Sequence, residues 1–187
     1  MKLPSYTFGV VIAFVLQAAL LGWIVADRAL LLEHGKEVRL AVIPVDPHDL
    51  FRGDYVVLNY AASLMKSDIV PNDGAFNLGD TAYVSLAADG RPTAMAHKPP
   101  AGGTFLKGTV SDATEVTTCS SGATSCRNYR VDYNLEKFFV PEGTGRELEM
   151  LRNDQKISVD IAVAGDGRAA LKRLNVDGQP RFEEPPY

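Results

Sequence analysis

The stretch FGVVIAFVLQAALLGWIVA, residues 8–26, constrains this chain more than any other feature. It is apolar all round except at Gln17. As a helix rising 1.5 Å per residue it reaches about 28 Å, enough to cross the hydrocarbon core of a bilayer. Tyr6 and Trp23 lie near its two ends, where amphipathic rings favour the membrane interface, and Asp27 with Arg28 closes the run. Gln17 is expected either to be tolerated or to hydrogen-bond to a neighbouring helix. A cleaved signal peptide would have an apolar core of about 7–15 residues followed by small residues. Here the run is longer, and Ile24-Val25-Ala26 puts a bulky residue where a small one is needed. Past the membrane, residues 29–34 keep helical composition until Gly35, so the helix is expected to continue to about residue 34 and protrude about two turns.

The chain has 187 residues, which leaves one domain of roughly 150 after the anchor. A domain of that length buries about two-thirds of its unfolded surface and needs no metal to stand alone. The expected organisation is a short tail over residues 1–7, a transmembrane helix over 8–26, a β-rich extracytoplasmic domain over 37–182, and an extended, mobile tail over 183–187. The net charge of -4, with Lys and Arg scattered among Asp and Glu, provides no basic stripe of the kind nucleic-acid binding needs.

Two signals bear on sidedness and they conflict. Lys2 and the amino terminus stand on one side of the run, but Arg28, Lys36 and Arg39 stand on the other, and positive charge favours the cytoplasm. Against that count, the only two cysteines, Cys119 and Cys126, enclose a short Ser/Gly-rich loop between expected strands. A cross-strand disulfide there would persist in an oxidising compartment and would be unusual in the cytosol. The alternative is a pair of free thiols. A zinc site would need ligands that two cysteines without a nearby histidine do not supply, so no metal and no cofactor are expected.

Beyond the helix the dominant period is two. Val38, Leu40 and Val42 alternate with Arg39 and Ala41, and Tyr83-Val84-Ser85-Leu86 continues the theme. Four Asp-Gly pairs occur, at 73–74, 89–90, 166–167 and 177–178, and such pairs supply the positive φ angles of tight hairpins. Residues 83–98 and 157–176 each read as a β-hairpin, and 104–110 with 129–134 as further strands. Short helices are expected only over 61–66 and 145–151. The fold class is therefore mainly β: antiparallel strands and hairpins in a sandwich or partly open barrel, behind one N-terminal transmembrane helix.

Residues 44–60, PVDPHDLFRGDYVVLNY, form a shaped loop entering a strand. Pro44 and Pro47 preset φ, Asp46 and Asp49 can accept from nearby amides, and Gly53 permits a turn before Tyr55 begins a strand. The stretch Gly53-Asp54-Tyr55-Val56-Val57-Leu58-Asn59-Tyr60 matches the pattern of the GDYXXLXY protein family, and the chain resembles that family. A second stretch, residues 137–149 with Phe139, Pro141, Glu142 and Gly143, is similar to the region that comes later in the same family. The resemblance spans nearly the whole chain. It implies a bacterial membrane-anchored protein of uncharacterised activity, found with a multi-pass membrane protein, and so implies a partner more than a reaction. The cysteine-bearing insertion is not part of that pattern. Arg52, Gly53, Asp54, Tyr55, Leu58, Tyr60, Phe139, Pro141, Glu142 and Gly143 are the expected binding surface.

Three enzymatic readings compete with that one. A proline-rich loop leading into Gly-Asp is similar to the substrate-binding segment of membrane signal peptidases, but no serine lies between Val38 and Tyr60 to act as nucleophile. Ser63 and Lys66 form a Ser-x-x-Lys without its companion motifs. Asp46, His48, Asp49 and Asp54 could converge as a metal or acid-base site. The competing reading has Asp46 and Asp49 bracing the turn and Arg52 pairing with Asp54 or Glu142. No catalytic residue is assigned. The leading expectation is a periplasmic accessory module, on a single-pass inner-membrane anchor, that docks on a multi-pass membrane protein or envelope complex. The alternative is a membrane-tethered hydrolase or metal-dependent enzyme using the 46–54 loop.

Overall fold

The computed structural model describes residues 5–43, 55–117, 119–120, 122, 125–139 and 156–184. Helix α1 runs Ser5–His34, and its Phe8–His34 portion is long and apolar enough to cross a membrane. No part of the domain covers its apolar section: Phe14 and Trp23 are 71% and 73% exposed. In water that surface would be costly, and lipid removes the cost.

The helix ends as its composition suggests. The Gly35 amide donates to the Leu31 carbonyl at 2.9 Å. A Cβ at Gly35 would sit 2.5 Å from that carbonyl oxygen and 2.9 Å from Ala162 Cβ, so a bare backbone is what lets the chain turn directly into the sheet. Leu32, 4% exposed, seats the last turns against strands β10 (Ile157–Val163) and β11 (Ala169–Val176).

Strand β1 (Lys36–Ile43) starts at once and buries Val38, Leu40 and Val42, the period-two set expected from the sequence. It pairs antiparallel with β10 and with the short β3 (Asn59–Tyr60). With β12 (Gln179–Glu183) the first sheet has the order β12-β11-β10-β1-β3. The second sheet joins β4 (Leu64–Lys66), β5 (Thr81–Leu86), β6 (Pro92–Ala96), β7 (Thr104–Val116) and β8 (Cys126–Asp132) in the order β4-β8-β7-β5-β6. Both sheets are antiparallel and one is curled as a half-barrel. Side chains from both, among them Leu40, Ile161, Leu174, Val84, Leu106 and Val131, form one core. Each fully buried side chain of that kind contributes about 1.5–3 kcal/mol. Exposed ion pairs contribute about 0–1 kcal/mol, so apolar burial and not charge holds the layers together.

The chain passes from the first sheet to the second at a 3-10 turn, Ala61–Ser63, between β3 and β4. The sequence predicts one short helix over residues 61–66, and the structure corrects this. Leu64, Met65 and Lys66 pair with Arg130, Tyr129 and Asn128 of β8, and the open edge of that strand overrides the helical preference of the local sequence. The helix expected over 145–151 lies outside the described residues.

Three Asp-Gly pairs make hairpins: 89–90 between β5 and β6, 166–167 between β10 and β11, and 177–178 between β11 and β12. The second of these does more than reverse the chain. Gly167 has φ +86°, a Cβ there would meet the Phe105 ring at 2.7 Å, and its carbonyl accepts from the Lys107 amide at 2.8 Å. The hairpin tip of the first sheet is thereby tied to β7 of the second.

On the face of the first sheet away from the core, Asp160 is 2% exposed. Arg39 Nε and Nη2 donate to its two carboxylate oxygens at 2.7 and 3.1 Å, and Arg173 Nε lies 3.4 Å away. Arg173 and Lys172 also reach Glu37. Burial pushes the Asp160 carboxyl up. The Arg39 hydrogen bonds and the two guanidinium charges outweigh it and hold the group below the usual carboxylate range.

Candidate functional site

The two motif segments, far apart in sequence, are neighbours in space. Strand β2 (Tyr55–Val57) pairs antiparallel with β9 (Lys137–Phe139), and Tyr55 stands opposite Phe139, Val56 opposite Phe138, and Val57 opposite Lys137. Residues flanking the ribbon in each segment hold it to the core. The Leu58 amide donates to the Glu136 carbonyl at 2.8 Å, and the Tyr60 hydroxyl donates to the Leu135 carbonyl at 2.5 Å. From the other side, the Tyr133 hydroxyl donates to the Ala62 carbonyl, and the Tyr133 amide donates to the Glu136 carboxylate at 2.6 Å. Phe138 closes the contact against Phe182 of β12, with ring centroids 6.3 Å apart.

The motif residues therefore divide by position. Leu58 and Tyr60 are fully buried, so they pack the core and have no surface to offer a partner. Burial foremost, and then the charge of Glu136, raises the Tyr60 phenol far above its ordinary range, so it stays a neutral donor. Val57 is 39% exposed and faces outward. Arg52, Gly53, Asp54, Pro141, Glu142 and Gly143 lie outside the described residues, as do Asp46, His48 and Asp49.

Cys119 and Cys126 are joined as a disulfide, with Cα atoms 5.8 Å apart, closing the loop between β7 and β8. Asp68 lies beside the pair, its carboxylate accepting from the Ser120 amide at 2.6 Å. An Asp68 oxygen and both sulfurs fall within 4.8 Å of one another, but the sulfurs are bonded to each other and are not thiolates. Ser63 and Lys66 are not on one helical turn: Ser63 is buried in the 3-10 turn and Lys66 is exposed on β4.

One polar pair had no signal in the sequence. Asp73 accepts from the His97 amide at 3.0 Å and from His97 Nδ1 at 2.7 Å, and the imidazole stacks on Phe76 with ring centroids 3.9 Å apart. The His97 backbone bond, more than its side chain, holds the Asp73 carboxyl below the usual range. A carboxylate has no hydrogen to give, so Nδ1 is the donor in this pair. The two residues meet because Asn72 bridges to Met95, a long-range contact that periodicity does not reveal.

A third region lies where α1 leaves its apolar section. A cavity of about 460 Å³ is bounded by Ile24, Asp27 and Arg28 on the helix and by Lys107, Thr109 and Asp132 on the second sheet. Arg168, next to the hairpin tip, closes one side. Its Nη1 and Nη2 lie 2.6 and 3.2 Å from the Asp27 carboxylate, and its Nε donates to Asp166 at 2.8 Å.

A family model described as GDYXXLXY protein matches residues 17–174, from the middle of the apolar helix to near the end of β11. The chain belongs to the GDYXXLXY family. No curated protein and no solved structure matches it. The matched span takes in the later part of the helix, the second sheet, the β2–β9 ribbon and the first sheet up to β11, so this GDYXXLXY chain carries its family likeness on most of its architecture and not on the eight-residue motif alone.

Proposed function

We propose that this GDYXXLXY protein is a membrane-anchored accessory module whose β-domain faces the periplasm and docks on a multi-pass membrane protein, using the β2–β9 ribbon as its recognition edge. The observation that carries the reading is the pairing of Tyr55–Val57 with Lys137–Phe139. Two motif segments are joined there into one two-stranded ribbon that belongs to neither five-stranded sheet. A short ribbon fastened to a rigid core but outside its two main sheets is suited to strand or loop recognition, in which main-chain groups bind and side chains discriminate. The joined cysteines favour an oxidising compartment.

Site-specific photocrosslinking in the native membrane tests it. A photoreactive residue at Val57 should capture one multi-pass membrane protein, and the same residue at Thr93, on edge strand β6 of the second sheet, should not. Equal capture from both positions, or from neither, would overturn the docking edge. Sidedness has its own measurement: a reporter fused after Tyr187 that is active only in the cytosol would rule out the periplasmic placement.

A further inference from the structure

We infer that the cavity beneath the domain holds the headgroup of a zwitterionic, primary-amine phospholipid, phosphatidylethanolamine, drawn from the leaflet that α1 leaves. The inference rests on α1 spanning the membrane but not on the accessory role proposed above.

The cavity lies where lipid can reach it. Ile24 belongs to the last apolar turn of the helix and Asp27 and Arg28 to the first polar one, and all three line the cavity. The cavity therefore opens at the level where headgroups lie. Its volume of about 460 Å³ falls within the range of small-molecule sites.

The charges around it select the headgroup. Residues two apart on a strand share a face, so Lys107 and Thr109 of β7 project together. The register places Thr81 of β5 and Asp132 of β8 directly on either side of Thr109. A row of hydroxyl, hydroxyl and carboxylate thus lies across three strands, with an ammonium one step along. Arg168 is already committed to Asp27 and Asp166. Lys107 and Asp132 have no ion-pair partner among the described residues, although opposite charges two strand positions apart are within reach of one small molecule. Arg28, 3.9 Å from Glu184, adds a second cation at the helix side.

The set matches a zwitterion. Lys107, Arg28 and the Thr109 hydroxyl suit a phosphodiester, and Asp132 suits a primary ammonium that can donate hydrogen bonds. A net anionic headgroup brings no cation to the Asp132 carboxylate. A quaternary ammonium has no hydrogen to donate.

The test uses the full chain in nanodiscs of mixed phosphatidylethanolamine, phosphatidylglycerol and phosphatidylcholine, with retained lipid read by native mass spectrometry. The wild type should retain one phosphatidylethanolamine about tenfold over phosphatidylcholine, as expected for one charge-assisted hydrogen-bonded group. Asp132→Asn should erase that preference, and Lys107→Glu should lower retention of all three lipids. Thermal unfolding of each variant checks that the domain is intact, and Lys107→Ala serves as a milder second variant. Equal retention of the three headgroups, preference for phosphatidylglycerol, or an unchanged preference in folded Asp132→Asn would overturn the inference. Free phosphoethanolamine added at millimolar concentration should not displace the lipid; displacement would point to a soluble ligand instead. Loss of the protein from the nanodiscs would show that the spanning reading itself has failed.

Discussion

The Tyr60 hydroxyl donates to the Leu135 carbonyl inside the core, tying the strand that ends one motif to the segment that leads into the other. Neither residue has appreciable contact with water. Tyr60→Phe keeps the ring and removes the donor, so the buried carbonyl loses its partner. We expect a loss of about 1–2 kcal/mol in chemical denaturation. Tyr60→Ala adds a cavity and should cost about 3–5 kcal/mol. A Tyr60→Phe variant as stable as wild type would show that water or another donor replaces the hydroxyl.

The Asp160 carboxylate should make stability fall in acid. Its folded-state pKa lies below the unfolded value of about 3.9 because Arg39 and Arg173 outweigh the effect of burial. A depressed carboxyl pKa gives stability that is fully present above the unfolded pKa and is lost as pH falls through the folded one. Urea midpoints measured from pH 7 down to pH 3 should therefore drop for wild type and drop less for Asp160→Asn. At pH 7 that variant should be less stable by about 2–3 kcal/mol, near the low end for breaking a buried pair, because Arg39 is more than half exposed.

The disulfide closes a short loop, and the chain-entropy account assigns a crosslink of that length about 2–3 kcal/mol. The Cys119→Ser, Cys126→Ser double variant should fold with the same spectrum and melt earlier. A reductant should shift the wild type to the same melting temperature and leave the variant unchanged. A larger effect of reductant on the wild type than of the double substitution would indicate that the free thiols themselves disturb β8.

Arg168 joins helix to domain, and its value is geometric. Both it and Asp27 are in contact with water, so removing the pair should barely change the unfolding midpoint. It should instead loosen the helix against the domain. Hydrogen exchange in residues 29–35 is expected to quicken in Arg168→Ala, and the reversed pair Asp27→Arg with Arg168→Asp is expected to restore slow exchange. Faster exchange in the reversed pair than in the single variant would deny the pairing.

What could be read in advance divides along the range of the interactions. The apolar helix, its stop at Gly35, the alternation of Val38, Leu40 and Val42, and the hairpins around Asp89-Gly90 and Asp166-Gly167 depend on neighbours in sequence, and patterning reveals them. The disulfide could be anticipated because its two cysteines are the only ones present. The pairing of β2 with β9, the Asp160 and Arg39 contact, and the Asp73 and His97 pair join segments far apart, where no local period carries information. Leu58 and Tyr60 show a subtler limit. A motif marks residues that matter without saying whether they matter to a partner or to the core. Exposure decides that, and it becomes visible only once the sheets are assembled.

The direct passage from His34 through Gly35 into β1 leaves no tether between anchor and domain. The stretch of helix from Asp27 to His34, about 12 Å long, runs alongside the domain, whose Arg168 reaches back to Asp27. With α1 in a bilayer, a domain mounted this way cannot sweep through the surrounding fluid as one on a flexible linker does. Its encounters are then confined to lateral diffusion in the plane of the bilayer, at one height and with only rotation about the membrane normal left free. Only a partner that presents its surface at that same height can meet it, and the rotational search that slows most associations is reduced to that one axis.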